Sequence, residues 1–158
     1  MKSQKPIVIV IGGPTASGKT GLSIALAKEI NGQIISADSM QIYKEMNIGT
    51  AKVTKEEMKG IKHYLIDRVY PNERYSVAQF KEDAEKAIRT ILEEGKVPIV
   101  VGRTGLYINS LIYNIHYEDT KIDEEYRKFL EKRVEEEGLE TLYQEAKVID
   151  EEETRKLS

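Results

Sequence analysis

Residues 13–20 read Gly-Pro-Thr-Ala-Ser-Gly-Lys-Thr, and this stretch fits the phosphate-binding pattern Gly-x-x-x-x-Gly-Lys-Ser/Thr. The Ile/Val run at residues 7–11, directly ahead of it, is typical of a buried parallel strand. Behind it, apolar residues recur at helical spacing from Leu22 to Ile30. Because a glycine-rich loop between a strand and a helix presents backbone N–H groups to anions, the sequence predicts a site for a phosphate or a diphosphate.

The residues of this loop differ in what we expect them to contribute. Gly13 and Gly18 let the backbone approach anionic oxygens, since neither carries a Cβ. The Lys19 ammonium is expected to reach the terminal phosphate, and the Thr20 hydroxyl to hold Mg²⁺. Many nucleotide-binding enzymes share this motif, so it does not by itself select a reaction. The full set of predicted phosphate contacts is Gly13, Pro14, Thr15, Ala16, Ser17, Gly18, Lys19 and Thr20.

The composition excludes several classes of protein. A chain of 158 residues that is 40% hydrophobic and 32% charged is one domain by length, with an ordinary globular composition. The absence of cysteine excludes a disulfide scaffold and a thiolate zinc site. No apolar run approaches the roughly 20 residues that span a bilayer, and residues 1–6 lack the apolar segment of a signal peptide. We therefore expect a cytoplasmic protein without a membrane partner.

The charge is distributed unevenly along the chain. A net charge of −3 argues against a protein that coats nucleic acid without specificity. Residues 120–158 carry 13 Asp and Glu against 8 Lys and Arg, which is typical of a solvated helical face. Residues 1–119 carry 16 Lys and Arg against 14 Asp and Glu, so a local and specific RNA contact remains open there.

Strand and helix signals alternate along the chain, which predicts a parallel sheet with right-handed crossovers. Asn31-Gly32 predicts the end of the first helix, with Gly32 at the position after the cap. The later predicted strands are 33–38, 64–69 and 97–102, and the later predicted helices are 77–92, 106–113 and two from Asp123 onward that are joined near Gly138.

Three polar segments follow predicted strands, namely residues 12–20, 38–41 and 102–105. We expect them to meet, because ligands in parallel α/β sheets bind at the carboxyl ends of the strands. At this place Asp38 can serve as a metal ligand, a general base or a helix cap. Thr104 offers a hydroxyl to a ligand, or caps the helix that follows.

Five segments together carry a resemblance to a known family. In chain order they are Gly-Gly-Pro-Thr-Ala-Ser-Gly-Lys-Thr (12–20), Ile-Ser-Ala-Asp-Ser-Met-Gln-Ile-Tyr (35–43), Ile-Gly-Thr-Ala-Lys (48–52), His-Tyr-Leu-Ile-Asp (63–67) and Val-Gly-Arg-Thr-Gly-Leu-Tyr (101–107). From about Ile7 to its end, the chain closely resembles the tRNA dimethylallyltransferases, also called tRNA isopentenyltransferases. The run Ser-Ala-Asp-Ser-Met-Gln is far more specific than the phosphate loop.

The resemblance implies a fold, a reaction and partners. The fold would be α/β, a P-loop NTPase-like parallel sheet flanked by helices, with its core at 1–116. Residues 117–158 would form the start of a helical insertion that binds tRNA. The reaction would transfer the dimethylallyl group of dimethylallyl diphosphate to N6 of the adenosine adjacent to the anticodon. The implied partners are Mg²⁺, the donor and a tRNA anticodon stem-loop, and we expect a monomer.

The resemblance also implies roles for individual residues. Asp38 resembles the base that accepts the N6 proton, and Thr15 and Lys19 resemble the groups that act on the diphosphate. The residues implied to contact tRNA are Asp38, Ser39, Met40, Gln41, Thr104 and Arg127. We interpret His63 as a hydrogen-bonded structural histidine.

Two positions depart from the family pattern, Arg103 in place of a glycine and Val53 in place of a proline. If Arg103 had the positive φ open to glycine, the arginine would cost on the order of 1 kcal/mol or more. Its cation would then either contact the diphosphate or weaken the site. The change at Val53 falls in a loop and is minor.

Family members continue with further basic segments, so the chain resembles a C-terminally shortened member. Since cationic contacts to phosphates supply much of the affinity for RNA, we expect weak tRNA binding and poor turnover from this polypeptide. Two other functions stay open. A small-molecule P-loop kinase would need an arginine-rich lid and leaves 36–41 unexplained. An inactive nucleotide- or RNA-binding remnant of the family is favoured by Arg103 and the shortened length.

Overall fold

The structure, a computed structural model, describes residues 5–47, 49, 51–117 and 124–149. They fall into two units, 1–117 and 118–158. The strands are β1 (Ile9–Gly12), β2 (Gly32–Ser36), β3 (His63–Tyr64) and β4 (Val97–Gly102). The helices are α1 (Lys19–Glu29), α2 (Lys55–Met58), α3 (Val77–Glu93), α4 (Gly105–Ile112), α5 (Glu124–Glu137) and α6 (Leu139–Ile149), and none of them is long and apolar enough to cross a membrane.

The sheet is parallel, in the order β1-β4-β2-β3. Its register pairs Gly12 with Gly102 and Ser36 with Val101, so three strands end at one edge. The phosphate loop follows β1 directly and leads into α1. The predicted P-loop NTPase-like architecture is confirmed, and it brings the three polar segments to the same edge of the sheet.

Helices cover both faces of the sheet because its central strands are apolar on both sides. Ile34 and Ile99 belong to one core cluster with Ile24 and Ala27 of α1. The next residues along each strand, Ile35 and Val100, belong to a second cluster that contains the buried apolar side chains of α3. Consecutive strand residues point to opposite faces, so α1 and α3 lie on opposite sides of the sheet.

Helix α3 fixes the position of α4, and α4 continues from the third polar segment. Helix α3 starts with a capping box, in which the Ser76 hydroxyl accepts from Gln79 N (3.2 Å) and the Gln79 side chain accepts from Ser76 N (2.8 Å). Phe80, which is fully buried, stacks on Tyr107 of α4 with ring centroids 4.2 Å apart. This contact anchors the helix whose first turn lies beside the site.

Two predictions about the strands are wrong. The strand predicted at 64–69 ends at Tyr64, because Leu65 and Asp67 have φ of 62° and 54° and leave the extended conformation. A single parallel bridge between Tyr43 and Val69 then continues that edge. In the first strand Val10 is 37% exposed, so the prediction of burial is wrong: β1 is an edge strand among the described residues.

Gly32 has a different role from the predicted one. The residue with positive φ after α1 is Asn31 (φ 55°), and Gly32 is already the first residue of β2. A Cβ at Gly32 would lie 2.8 Å from Ile99 Cδ1 and 3.1 Å from the Val97 carbonyl oxygen. Glycine is needed there for close strand packing, and asparagine tolerates the left-handed turn.

Candidate functional site

The phosphate loop is held in shape by its own backbone. Gly18 is the N-cap residue of α1 and has φ 82°, a conformation that favours glycine. No side chain caps the N-terminus of this helix. Ala16 is also left-handed, with φ 60°. Ser17 Oγ donates to the Pro14 carbonyl at 2.7 Å, and Gly13 N donates to Gly102 O at 3.3 Å. The uncapped N–H groups of the first helical turn are therefore available to an anion.

Lys19 and Thr20 lie at the opening of this loop. The Lys19 ammonium donates to the Pro14 carbonyl and lies 3.3 Å from Ser17 Oγ. The Thr20 carbonyl accepts from Ser23 Oγ at 2.9 Å. Thr20 also lines a cavity that is described below. A cation and a hydroxyl are thus both present where the motif predicts them.

Asp38 is a buried carboxylate two residues after β2, and only 6% of the residue is exposed. Its Oδ1 accepts from Met40 N at 2.9 Å, and its Oδ2 lies 3.0 Å from Arg103 Nε. The bond to Met40 stabilises a turn and caps no helix, since residues 39 and 40 are not helical. Of the three roles left open from sequence, helix capping is therefore wrong, and those of metal ligand and general base remain.

Arg103 joins Asp38 to the phosphate loop. Its Nη1 donates to Thr15 Oγ1 at 2.9 Å, while Nε pairs with Asp38. The guanidinium group thus bridges the Asp38 carboxylate and the phosphate loop. Arg103 is not among the residues with positive φ, so the conformational strain considered from sequence does not arise. The preceding residue, Gly102, does have a steric requirement for glycine, since a Cβ would lie 2.1 Å from Ala37 O.

The Thr104 hydroxyl ties the second and third polar segments together. Its Oγ1 accepts from Ser39 N at 2.9 Å and donates to Ser39 Oγ at 3.3 Å. Thr104 N donates to Ala37 O at 3.1 Å. Thr104 is the N-cap residue of α4 by position, yet its side chain makes no capping bond. The hydroxyl instead fixes the turn that carries Asp38.

We expect Thr104→Val to lower the free energy of unfolding by about 1–2 kcal/mol, because the half-buried Ser39 N–H then loses its acceptor while the side-chain volume is kept. Thr104→Ser keeps the hydroxyl and is the matched control. Urea unfolding of both variants provides the measurement. An unchanged midpoint for Thr104→Val would show that water replaces this bond at no cost.

Two neighbours of Asp38 face different surroundings. The Gln41 side chain accepts from Ser36 Oγ at 3.3 Å and donates to Ala51 O at 3.1 Å, so it connects β2 with the loop that follows. Met40 is 36% exposed, which leaves its side chain accessible to a ligand. Gln41 therefore shapes the wall of the site, and Met40 lies at its surface.

A cavity of about 80 Å³ lies among these segments. Its lining includes Thr15, Lys19, Thr20, Asp38, His63 and Arg103. His63 Nδ1 lies 2.8 Å from Ile61 O, and burial lowers the pKa of the ring. A neutral ring that donates from Nδ1 leaves Nε2 as an acceptor. The hydrogen bond agrees with a structural histidine, although the ring also borders the cavity.

Lys52 has no predicted role beyond its place in a motif, but its side chain is a structural contact in the fold. Its ammonium donates to Tyr43 O at 2.6 Å and pairs with Asp67 Oδ1 at 2.5 Å, and its side chain is 6% exposed. This pair joins two of the five segments that carry the family resemblance, through Lys52 of one and Asp67 of the other. Val53, at the family's proline position, packs against the core cluster of α1. No sequence signal could have found the role of Lys52, because its burial is seen only in the structure.

Arg127 lies in the second unit, on α5. Its Nε pairs with Glu131 Oε1 at 3.0 Å, one helical turn further on, and both side chains are about half exposed. Opposite charges four residues apart are common on the surface of a helix. The contact of Arg127 with RNA stays a prediction.

Residues 41–158 match the IPP transferase family. The tRNA dimethylallyltransferase of Acetivibrio thermocellus is 63% identical over 143 residues, which are 90% of this chain and 46% of that protein. That of Caldanaerobacter subterraneus is 51% identical over 150 residues, which are 95% of this chain and 48% of that protein. The chain thus spans about half the length of these curated relatives.

Solved structures agree in fold. The full-length tRNA isopentenylpyrophosphate transferase of Bacillus halodurans superposes with a TM-score of 0.71 at 46% identity, over 96% of this chain and 50% of that one. The tRNA delta(2)-isopentenylpyrophosphate transferase of Staphylococcus epidermidis gives a TM-score of 0.69 at 50% identity, over 96% and 49%. A eukaryotic dimethylallyltransferase acting on tRNA gives 0.66 at 43% identity, over 68% and 27%.

Proposed function

Because the chain belongs to the IPP transferase family, we propose that it forms the donor-binding core of a tRNA dimethylallyltransferase. The reaction moves the dimethylallyl group of dimethylallyl diphosphate to N6 of the adenosine adjacent to the anticodon. One observation carries the proposal: the buried Asp38 carboxylate is one guanidinium group away from the phosphate loop. A base and a leaving-group cradle at that separation suit the transfer of a small group between two bound substrates.

The bond changes set what the site has to do. The N6 lone pair forms a bond to C1 of the dimethylallyl group, and the C1–O bond breaks with its electron pair going to the diphosphate. The N6 proton passes to the Asp38 carboxylate. Negative charge therefore develops on the leaving oxygens, while a proton has to be removed on the opposite side of the reacting carbon.

The described residues are suited to both tasks. The uncapped N–H groups at the start of α1 and the Lys19 ammonium would stabilise charge on the leaving diphosphate. Thr15 would contact the same group, since the residue lines the cavity. Asp38 would accept the proton, because burial and the hydrogen bond from Met40 N hold its carboxylate in place.

Mg²⁺ fits this arrangement in part. The described residues contain no cluster of three or more carboxylate or histidine ligands. Mg²⁺ is commonly held by one or two protein oxygens together with substrate phosphates, so the Thr20 hydroxyl and the diphosphate would suffice. When bound, the ion neutralises charge on the leaving diphosphate.

The acceptor side is proposed on similar grounds. The turn 39–41 and Thr104 lie beside Asp38, so they would contact the target adenosine or its neighbours in the anticodon stem-loop. N6 becomes reachable once that base leaves the stack. Arg127 would add a phosphate contact. We also propose a cytoplasmic location, which suits a chain without cysteine, and a monomeric state.

A single-turnover assay tests the function. The protein, in excess over an unmodified tRNA, is mixed with radiolabelled dimethylallyl diphosphate and Mg²⁺. The excess ensures that weak RNA binding does not limit the rate. We expect label in the tRNA, and about 10²-fold slower transfer with Lys19→Ala. Lys28→Ala removes an exposed lysine from the same helix and should leave the rate unchanged.

A tRNA with guanosine in place of the target adenosine is the acceptor control and should take no label. Absence of transfer to any tRNA, with diphosphate binding intact, would contradict the proposed reaction. Protection of the fold against heating by ATP, but not by dimethylallyl diphosphate, would favour a P-loop kinase instead.

A further inference from the structure

Arg103 stands where the family motif has glycine, and the proposed function gives it no role. Its guanidinium occupies the gap between the phosphate loop and Asp38, with Nη1 on Thr15 and Nε on Asp38 Oδ2. The other carboxylate oxygen accepts from Met40 N. Each carboxylate oxygen thus already has one partner, and the guanidinium lies in the gap from which an acceptor amine beside the donor would approach Oδ2.

Arg103 is the member of the pair that is better placed to change its partner. Its side chain is 34% exposed, whereas the Asp38 side chain is 7% exposed, and an arginine side chain is long and flexible. Its second partner, the Thr15 hydroxyl, is neutral. A diphosphate carries several negative charges and offers paired oxygens that match the planar fork of arginine better than one carboxylate oxygen does. A diphosphate in the loop thus competes with Asp38 for Arg103.

We propose, on the basis of the function proposed above, that Arg103 is a latch between donor and base. It pairs with Asp38 until a diphosphate in the loop takes over its guanidinium, and this exchange frees Asp38 Oδ2 for the acceptor amine. Arg103 is thereby a donor-binding residue that the phosphate-loop motif does not assign. The coupling arises because diphosphate binds more tightly to the arrangement in which Arg103 has left Asp38.

A double-mutant cycle on diphosphate affinity tests the latch without any turnover. The probe is inorganic diphosphate with Mg²⁺, titrated calorimetrically into the wild type, Asp38→Asn, Arg103→Ala and the double variant. Asp38→Asn releases the arginine and should tighten binding by about tenfold, and Arg103→Ala should weaken it by about tenfold. With Ala at 103, Asp38→Asn should change the affinity by less than about threefold.

The cycle separates the latch from simple charge repulsion. If Asp38 acted only through its negative charge, Asp38→Asn would tighten binding at least as much in the absence of Arg103, where nothing neutralises the carboxylate. That result, or an affinity unaffected by Arg103→Ala, would overturn the latch. Arg89→Ala removes an exposed arginine from α3 and serves as the control for net charge.

The outcomes also distinguish the latch from the proposed function. A wild type that does not bind diphosphate would overturn the latch and the donor site together. Coupled binding without label transfer to tRNA would support the latch and contradict only the acceptor chemistry. Circular dichroism and thermal midpoints of all four proteins establish that each variant is folded before its affinity is compared.

Discussion

Asp38→Asn is expected to slow single-turnover prenyl transfer by about 10²–10⁴-fold, the usual contribution of a general base. The amide keeps the size of the side chain but cannot accept the N6 proton. The same variant should bind diphosphate at least as tightly as the wild type, because one negative charge is removed near the donor. Transfer and donor affinity would then change in opposite directions, which a folding defect would not produce.

Asp83→Asn is the matched control for this experiment. Asp83 also lies beside an arginine, with Arg68 Nε at 3.6 Å, and it accepts from Tyr75 Oη at 2.7 Å, but it does not line the cavity. We expect its transfer rate to be near that of the wild type, even if its stability falls. An Asp38→Asn protein that keeps more than about one third of the rate would contradict the role of Asp38 as the base.

Gly102→Ala is expected to have the largest effect on stability. A Cβ at this position would lie 2.1 Å from the oxygen and 2.4 Å from the carbon of the Ala37 carbonyl, and both are backbone atoms that cannot rotate away. The ends of β2 and β4 would have to separate, which strains the bond from Ala37 N to Val101 O (2.8 Å) and that from Thr104 N to Ala37 O (3.1 Å). We expect a loss of about 3 kcal/mol or more in the free energy of unfolding.

Gly105→Ala is the control, since the two glycines lie three residues apart and differ in their surroundings. Gly105 is the first residue of α4, and a Cβ there would meet nothing within 4 Å. We expect this variant to be as stable as the wild type or slightly more stable. Urea unfolding measures both. A Gly102→Ala protein within about 1 kcal/mol of the wild type would show that the two strand ends separate at little cost.

The core architecture was accessible from the sequence because its signals are local. The strand at 97–102, the capped helix that starts after Ser76 and the loop 13–20 each depend on side chains close together in the chain. The rule that ligands meet at the carboxyl ends of parallel strands then brought Asp38 to the phosphate loop without further information.

Errors arose where a residue's conformation depends on distant partners. The predicted strand 64–69 has an apolar sequence, yet Leu65 and Asp67 turn left-handed, and Arg68 N donates to Ile42 O at 2.7 Å. A glycine directly after a helical pattern, as at Gly32, is typical of a helix end. Glycine is instead required there by the side chain of Ile99, which is 67 residues further along the chain. Periodicity does not contain information of this kind.

The sequence alone therefore determined the P-loop fold, the family resemblance and the identity of the buried acid, because each rests on short motifs and regular spacing. Only the tertiary structure decided that Arg103 adopts an unstrained backbone and lies between Asp38 and Thr15. The physical reason is that an arginine side chain is long and flexible, so its partner is selected by the charges that the fold brings within its reach.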